Sequence, residues 1–247
     1  MLINLSILVS ISYIVLQTLI TTSYSSRVAG GLSKNPALGT TIQHTFYVGS
    51  SVLLILIMPI SGFLIESDIS ASLYFKIVIV SMLISSLLSY LILIYLNKFQ
   101  KFFQKIFYYY SNHFIPSAIL LALSTKKIDY KFTEMKTPFS FKLISLKKCF
   151  FSFVAYAFIT SSYFTIFLLS IYFIDHRLTI SQFNIALQGF GTFLISFYID
   201  PILSKSIDNI PAGNDAWITN VYSIILGRVI SLMFMSLLFL IVFILIE

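Results

Sequence analysis

Six long runs of apolar residues constrain this chain more than any other feature of its sequence. Each run has about the twenty residues that an α-helix needs to cross the hydrocarbon core of a bilayer. Charged residues make up 10% of the chain and hydrophobic residues 58%, which leaves too few charges to cover a water-facing surface. The sequence therefore predicts an all-α polytopic membrane protein and excludes a soluble domain. The predicted helices cover residues 2–21, 46–65, 74–96, 149–174, 183–203 and 221–246.

The positive charge of the protein is concentrated in one connection, residues 97–148, between the third and fourth predicted helices. Ten of its residues are lysine and two are acidic, so it carries +8, whereas the rest of the chain carries −1. Because loops rich in Lys and Arg stay in the cytoplasm, we expect this connection to be cytoplasmic and both termini to be outside. The loops 22–45 and 204–220 are then cytoplasmic, and the loops 66–73 and 175–182 are outside.

The first part of this connection has the pattern of an amphipathic helix. Lys98, Lys101 and Lys105 share one helical face, and aromatic residues fall on the opposite face. We expect this helix to lie in the inner interface and to bind anionic lipids; because it adjoins a membrane helix, we do not expect nucleic acid as a partner. The stretch 114–123 is too short to span and is predicted to be interfacial or re-entrant. Joined to residues 107–110 it just reaches the length of a span, but half of the lysines would then be outside.

Polar side chains recur at regular spacing inside the predicted helices. The first helix carries a series that includes Gln17 and Tyr24, and the fifth has a polar residue at every fourth position: Asn184, Gln188, Thr192, Ser196 and Asp200. One interpretation is helix packing, since small polar residues form hydrogen bonds between membrane helices. The other is a hydrophilic cleft, because Asn, Gln and Asp are costly in lipid and usually face a cavity. A transporter of a polar or amphiphilic solute needs such a cleft.

Three charged residues are predicted at membrane depth, all near the cytoplasmic ends of their helices. They are Arg27, Asp200 and Arg228. We expect Asp200 to pair with Arg228 when no ligand is bound. Either the two arginines bind an anionic group, or the pair is structural and Arg27 extends towards the interface.

The chain divides into two halves of three helices each, residues 1–96 and 149–247, with opposite predicted orientation. The second helix of each half has a glycine followed ten residues later by a proline, Gly49 and Pro59 in one and Gly191 and Pro201 in the other. Interrupted helices at matching positions are typical of inverted repeats in transporters. Because both residues are common in membrane helices, chance remains the alternative.

The sequence lacks the residue patterns of common catalytic and metal sites. Its three histidines, His44, His113 and His176, stand far from one another without the spacing of a metal site such as H-E-x-x-H, and it contains no nucleotide-binding P-loop and no nucleophile elbow. The single cysteine, Cys149, excludes an internal disulfide. We therefore expect neither an enzyme nor a bound metal or cofactor.

Three short segments resemble a known family. Residues 21–30 read T-T-S-Y-S-S-R-V-A-G, similar to the Y-S-x-R-x-A-G signature of Amj-type lipid II flippases. Residues 200–204, D-P-I-L-S, followed by Asp208, resemble that family's D-P-x-L-S…D segment, and Gly227–Arg228 resembles its G-R pair. The chain departs from the family at Ile20, where an acidic residue is usual, and at residues 49–51, where an S-R-x-x-N-type segment is expected.

The resemblance implies a function in cell-wall synthesis at the bacterial plasma membrane. It implies translocation of lipid II, the undecaprenyl-pyrophosphate-linked peptidoglycan precursor, from the inner to the outer leaflet. The substrate-binding residues would include Arg27, Arg228, Asp200, Tyr24, Gln188, Thr192, Asn184 and Gln17. The alternatives are a transporter of another polyprenyl-linked glycan, an intramembrane lipid-phosphate enzyme, and a non-catalytic membrane scaffold.

Overall fold

A computed structural model describes residues 1–125, 132–135, 137–208 and 217–246. These residues form ten α-helices and no strand. Five of the charged residues of the basic connection, Lys126, Lys127, Asp129, Lys131 and Lys136, lie outside the described residues. The helices are α1 Leu2–Leu32, α2 Pro36–Ser51, α3 Leu54–Glu66, α4 Ala71–Ile94, α5 Leu96–Tyr110, α6 Ile115–Ser124, α7 Leu146–Tyr172, α8 Arg177–Leu194, α9 Asp200–Asp208 and α10 Ile218–Ile246.

Six helical units are long and apolar enough to cross a membrane, so the chain is an all-α polytopic membrane protein, as predicted. Spans 1, 3, 4 and 6 are single helices: α1, α4, α7 and α10. Span 2 consists of α2 and α3, and span 5 of α8, a π-helical turn and α9. Each span corresponds to one of the six predicted helices.

The prediction of a loop at residues 22–45 is wrong. Helix α1 continues to Leu32, and α2 begins at Pro36 after a three-residue turn. Asn35 caps α2 by accepting a hydrogen bond from the backbone N–H of Leu38. Pro36 occupies the first helical position, where its ring holds its own φ angle at a helical value. The polar residues of 21–27 lower the hydropathy of this segment, but all except Thr22 are buried in the protein, so the span does not end where the apolar run ends.

Spans 2 and 5 are both interrupted, each between its glycine and its proline. The break in span 2 lies at residues 52–53, between Gly49 and Pro59. In span 5 the π-helical turn covers Ile195–Ile199, between Gly191 and Pro201. A proline removes one backbone donor and crowds the preceding turn, which accounts for an irregular turn on its N-terminal side.

In each half one span packs against both of the others, span 1 in the first half and span 4 in the second. Within the first half, α1 packs against both span 2 and α4; within the second, α7 packs against both span 5 and α10. The two halves meet mainly where α4 packs against α10. Spans 2 and 5 are consequently peripheral, and they flank one side of the pair formed by α1 and α7.

The amphipathic segment is a helix, but protein covers much of its apolar face. Phe103 and Ile106 of α5 are fully buried against Ala29 of α1, Ile42 of α2 and Ala118 of α6. All three of its lysines have a partner within the protein: Lys101 forms an ion pair with Glu134 at 2.5 Å, Lys105 donates to the carbonyl of Thr125 at 2.6 Å, and Lys98 lies over the ring of Tyr95. Helix α5 therefore offers less surface to lipid than the sequence predicts.

The stretch after α5 does not form a span. A turn at residues 111–113 ends α5, and the ten residues of α6 fold back onto it. Ten helical residues extend about 15 Å, half of the hydrocarbon thickness. The alternative in which residues 107–123 form one spanning helix is therefore wrong.

Candidate functional site

A small polar pocket lies between spans 2 and 5, at the end of the bundle where Asp200 is found; we name it the Asp200 pocket. Its volume is about 90 Å³. Helices α1 and α7 form its floor, and the interrupted spans form its walls. Its lining residues are Tyr24, Gln43, His44, Tyr47, Tyr156, Thr192, Ile195, Ser196 and Asp200.

Arg27 joins the two walls of this pocket from behind. Its side chain is fully buried and forms an ion pair with Asp200 of span 5 at 2.7 Å. Its Nε donates to the amide oxygen of Gln43 on span 2, and another nitrogen lies 3.3 Å from the hydroxyl of Ser204. Spans 1, 2 and 5 therefore meet at one guanidinium group.

Arg228 of span 6 is buried to the same degree but has different partners. It donates to the hydroxyl of Thr21 at 3.0 Å and to the amide oxygen of Gln17, both on span 1. Its guanidinium carbon lies 4.4 Å from the ring centroid of Tyr156, a cation–π contact. Among the described side chains no carboxylate pairs with it.

The expected pairing of Asp200 with Arg228 is wrong. The carboxylate of Asp200 binds Arg27 instead, while Arg228 points to span 1 and lies behind the ring of Tyr156. The reason is the rotation of the helices about their axes, which turns Arg27 of α1 towards span 5 and Arg228 of α10 towards span 1. Neither arginine lines the pocket directly.

A hydrogen bond between two tyrosines connects the surroundings of the two arginines. The hydroxyl of Tyr24, one helical turn before Arg27, bonds to the hydroxyl of Tyr156, whose ring faces Arg228. Thr21 also bonds to Ser89 of span 3 at 2.9 Å. The structure thus forms two neighbouring polar clusters, Arg27 with Asp200 and Arg228 with Gln17, and Tyr24 and Tyr156 line the same pocket as Asp200.

The remaining predicted site residues lie along span 5. Thr192 is exposed and lines the Asp200 pocket. Gln188 is half-buried and lies 3.4 Å from the hydroxyl of Tyr163, and its amide nitrogen donates to Asn184 at 2.8 Å. The amide nitrogen of Asn184 lies 3.9 Å from the sulfur of Met58 on span 2. The polar series of span 5 therefore follows the groove between spans 2 and 5.

Small residues hold the helices that build this site close together. A methyl group added at Gly39 would meet the carbonyl oxygen of Ser26 at 2.7 Å, and one added at Gly30 would meet the Cα of Gly39 at 2.8 Å. At Gly227 an added methyl group would lie 2.3 Å from the carbonyl oxygen of Cys149. These contacts set the positions of the neighbouring Arg27 and Arg228.

Three pocket residues on α2 were missed by the sequence reasoning. Gln43 and His44 fall within residues 22–45, which were predicted to be a loop, and Tyr47 falls in the second predicted helix without a polar pattern around it. The signal was present in the Asn–Pro pair at residues 35–36, which is a typical helix start. A helix from that point places Gln43 and Tyr47 one turn apart on the same face.

The charges of the two clusters do not cancel. Two guanidinium groups and one carboxylate leave a net positive charge beneath the pocket. Buried charges are normally paired, because removing an ion from water is costly. An anion entering the pocket would therefore be attracted by Arg228 and would compete with Asp200 for Arg27.

Among the described residues no group of three His, Cys, Asp or Glu side chains is arranged to hold a metal ion.

The chain was compared with known proteins by sequence and by structure. No family model, no curated protein and no solved structure matches it.

Proposed function

We propose that this protein is a flippase that moves lipid II, the undecaprenyl-pyrophosphate-linked peptidoglycan precursor, from the inner to the outer leaflet of the bacterial plasma membrane. The Asp200 pocket then faces the cytoplasm and both termini face outside, in keeping with the positive charge of residues 97–148. One observation carries the proposal. The three segments that resemble Amj-type flippases contribute Arg27, Asp200 and Arg228 to two polar clusters beneath the same pocket.

The position of the pocket suits an amphiphilic cargo. The pocket lies between the two peripheral spans, so a polyprenyl tail remains in lipid while the polar head enters the groove. The pyrophosphate is anionic, and the two clusters beneath the pocket have an excess of one positive charge. Arginine suits this role because its planar guanidinium group binds two phosphate oxygens at once.

Entry of the head group requires the groove to open. A volume of about 90 Å³ is well below the 300–1,000 Å³ usual for ligand sites. Spans 2 and 5 are linked through Arg27, which binds Gln43 on one and Asp200 on the other. A pyrophosphate that displaces Asp200 from Arg27 removes one of these links. Cargo binding is thereby coupled to the separation of spans 2 and 5.

The test is the leaflet distribution of labelled lipid II in cells depleted of their other flippase. We expect the native protein to restore the exposure of lipid II on the outer leaflet. The Arg228→Gln variant should restore it at a rate at least tenfold lower, which is about the contribution of one charge-assisted hydrogen bond. The variant Arg228→Lys keeps the charge but loses the two-pronged geometry, so we expect it to be impaired as well. Full activity of both variants at normal membrane levels would contradict the proposal.

The choice between lipid II and another polyprenyl-linked glycan depends on the head group. Purified protein in vesicles should translocate labelled lipid II, and unlabelled lipid II should compete better than a polyprenyl-linked glycan without the peptide. Equal competition would favour the broader cargo class. Conversion of the labelled lipid into a dephosphorylated product would favour the enzyme alternative.

A further inference from the structure

A second pocket lies at the opposite end of the groove between spans 2 and 5; we name it the Glu66 pocket. Its volume is about 320 Å³. The end of α3, the end of α7 and the start of α8 form its walls. Its lining residues are Gly62, Ile65, Glu66, Phe167, Ser170, Arg177, Leu178 and Ser181.

Two opposite charges line this pocket without neutralising each other. Glu66 ends span 2, and Arg177 begins α8 of span 5. Within the described part of the chain, neither forms an ion pair. The Nε of Arg177 donates to the carbonyl oxygen of Ser170 at 3.1 Å, which fixes the side chain and leaves its terminal nitrogens available.

The two pockets of the groove differ in size and in charge. The Glu66 pocket has a volume within the range usual for ligand sites, whereas the Asp200 pocket is well below that range. The contact between Met58 and Asn184 separates them. The Asp200 pocket lies over an excess positive charge, while Glu66 and Arg177 give the second pocket one charge of each sign.

We propose that the Glu66 pocket binds a zwitterionic group, one that carries an ammonium and an anionic oxygen a few ångströms apart. Arg177 binds the anion by charge-assisted hydrogen bonds, and Glu66 binds the ammonium. A purely anionic group is disfavoured, because it meets the carboxylate of Glu66 without a compensating cation. This binding does not depend on the transport function, and it is measured without transport.

Two sources supply such a group at a membrane surface. One is a zwitterionic phospholipid head group, in which a phosphate precedes an ammonium. The other is a peptide with a free ammonium and a free carboxylate, as in the head group of a peptide-bearing lipid. Both offer the same pair of charges to Glu66 and Arg177, so they are separate arms of one experiment.

The experiment measures the melting temperature of the purified full chain in non-ionic detergent against ligand concentration. The probes are dihexanoyl-phosphatidylethanolamine, dihexanoyl-phosphatidylglycerol and the dipeptide alanyl-alanine. For the native chain we expect at least one zwitterionic probe to bind about tenfold more tightly than the phosphatidylglycerol, as one charge-assisted bond provides. The variant Glu66→Gln should bind the zwitterionic probe and the phosphatidylglycerol with similar affinity. The variant Arg177→Gln should bind the zwitterionic probe at least tenfold more weakly than the native chain does.

The matched control is Asp175→Asn, which changes a neighbouring acidic residue that does not line the pocket. It should leave all three binding curves unchanged. Each variant is first measured without ligand, and Glu66→Ala and Arg177→Ala replace any glutamine variant that fails to fold. Selective binding of the phosphatidylethanolamine assigns the pocket to phospholipid, and selective binding of the dipeptide assigns it to a peptide group. Binding that is absent, or that survives in Arg177→Gln, overturns the proposal.

Discussion

The two buried arginines have the same burial and opposite surroundings. Arg27 has a carboxylate partner, and together they join the walls of the Asp200 pocket. Arg228 has neutral partners, a threonine hydroxyl, a glutamine amide and a tyrosine ring. The difference teaches that burial alone does not define a role. The paired arginine holds the spans together, and the unpaired one provides the excess charge that an anionic ligand can neutralise.

The largest expected effect comes from removing the counter-charge of Arg27. Asp200→Asn leaves a buried guanidinium group without its carboxylate, which should lower the free energy of unfolding in mixed micelles by about 3 kcal/mol. The double variant Arg27→Gln, Asp200→Asn should recover most of this loss. Asp175→Asn serves as the exposed control and should change stability by less than about 0.5 kcal/mol. If Asp200→Asn lowers the free energy of unfolding as little as the control does, Arg27 does not hold the spans together.

A smaller change in stability is expected at the unpaired arginine. Arg228→Met removes a buried charge, which is favourable, but leaves the amide of Gln17 without its partner, so the net loss should be about 1–2 kcal/mol. Adding Gln17→Leu should restore stability while transport stays lost. Unfolding and transport are measured on the same preparations. A stability loss larger than that of Asp200→Asn would mean that Arg228 has a counter-charge, and the comparison would fail.

The hydrogen bond between the tyrosines provides a sharper test of how the two arginines are connected. Tyr156→Phe keeps the ring that faces Arg228 but leaves the hydroxyl of Tyr24 unpaired, at a cost of about 1 kcal/mol. In the Tyr156→Phe background, a double-mutant cycle between Asp200→Asn and Arg228→Met should give a smaller coupling free energy of unfolding than the same cycle gives in the native chain. Tyr172→Phe is the control at an exposed tyrosine. Unchanged coupling would mean that the two arginine sites communicate by another route.

The smallest stability effect is expected on the pocket wall. Thr192→Val replaces an exposed hydroxyl by a methyl group of similar size, so the free energy of unfolding should change by less than about 0.5 kcal/mol. Because the hydroxyl lines the pocket, transport should fall. Thr179→Val, the same substitution at an exposed residue of α8 that lines neither pocket of the groove, is the matched control. Normal transport by Thr192→Val would mean that the hydroxyl of Thr192 does not contact the ligand.

The sequence predicted the number of spans and their approximate positions, because hydropathy reports what faces lipid. It failed at residues 22–45, where polar side chains face other helices instead of water. Hydropathy does not distinguish those two surroundings, so the extension of α1 and the start of α2 were missed. The matching glycine–proline pairs indicated interrupted helices, and both spans 2 and 5 are interrupted.

The contacts of the candidate site could not be predicted from the sequence. Motif similarity and polar spacing selected Arg27, Asp200 and Arg228, and the structure pairs Arg27 with Asp200 and places Arg228 against span 1. Which arginine binds the carboxylate depends on the rotation of α1 and α10 about their axes, which spacing along one chain does not give. Gln43 lacked any pattern of its own and became visible only when α2 was placed beside α1.

The π-helical turn of span 5 has a consequence for the phase of the helix. An α-helix rotates about 100° per residue, so positions four apart drift by about 40° per step, and an uninterrupted helix would turn Asp200 about 160° away from Asn184. The wider turn at Ile195–Ile199 winds less per residue and offsets part of this drift. Asn184 and Asp200 thereby serve the same groove. The winding of span 5 therefore determines the site as much as its composition does. Inserting or deleting one residue in this turn would rotate Asp200 by about 100°, away from the groove.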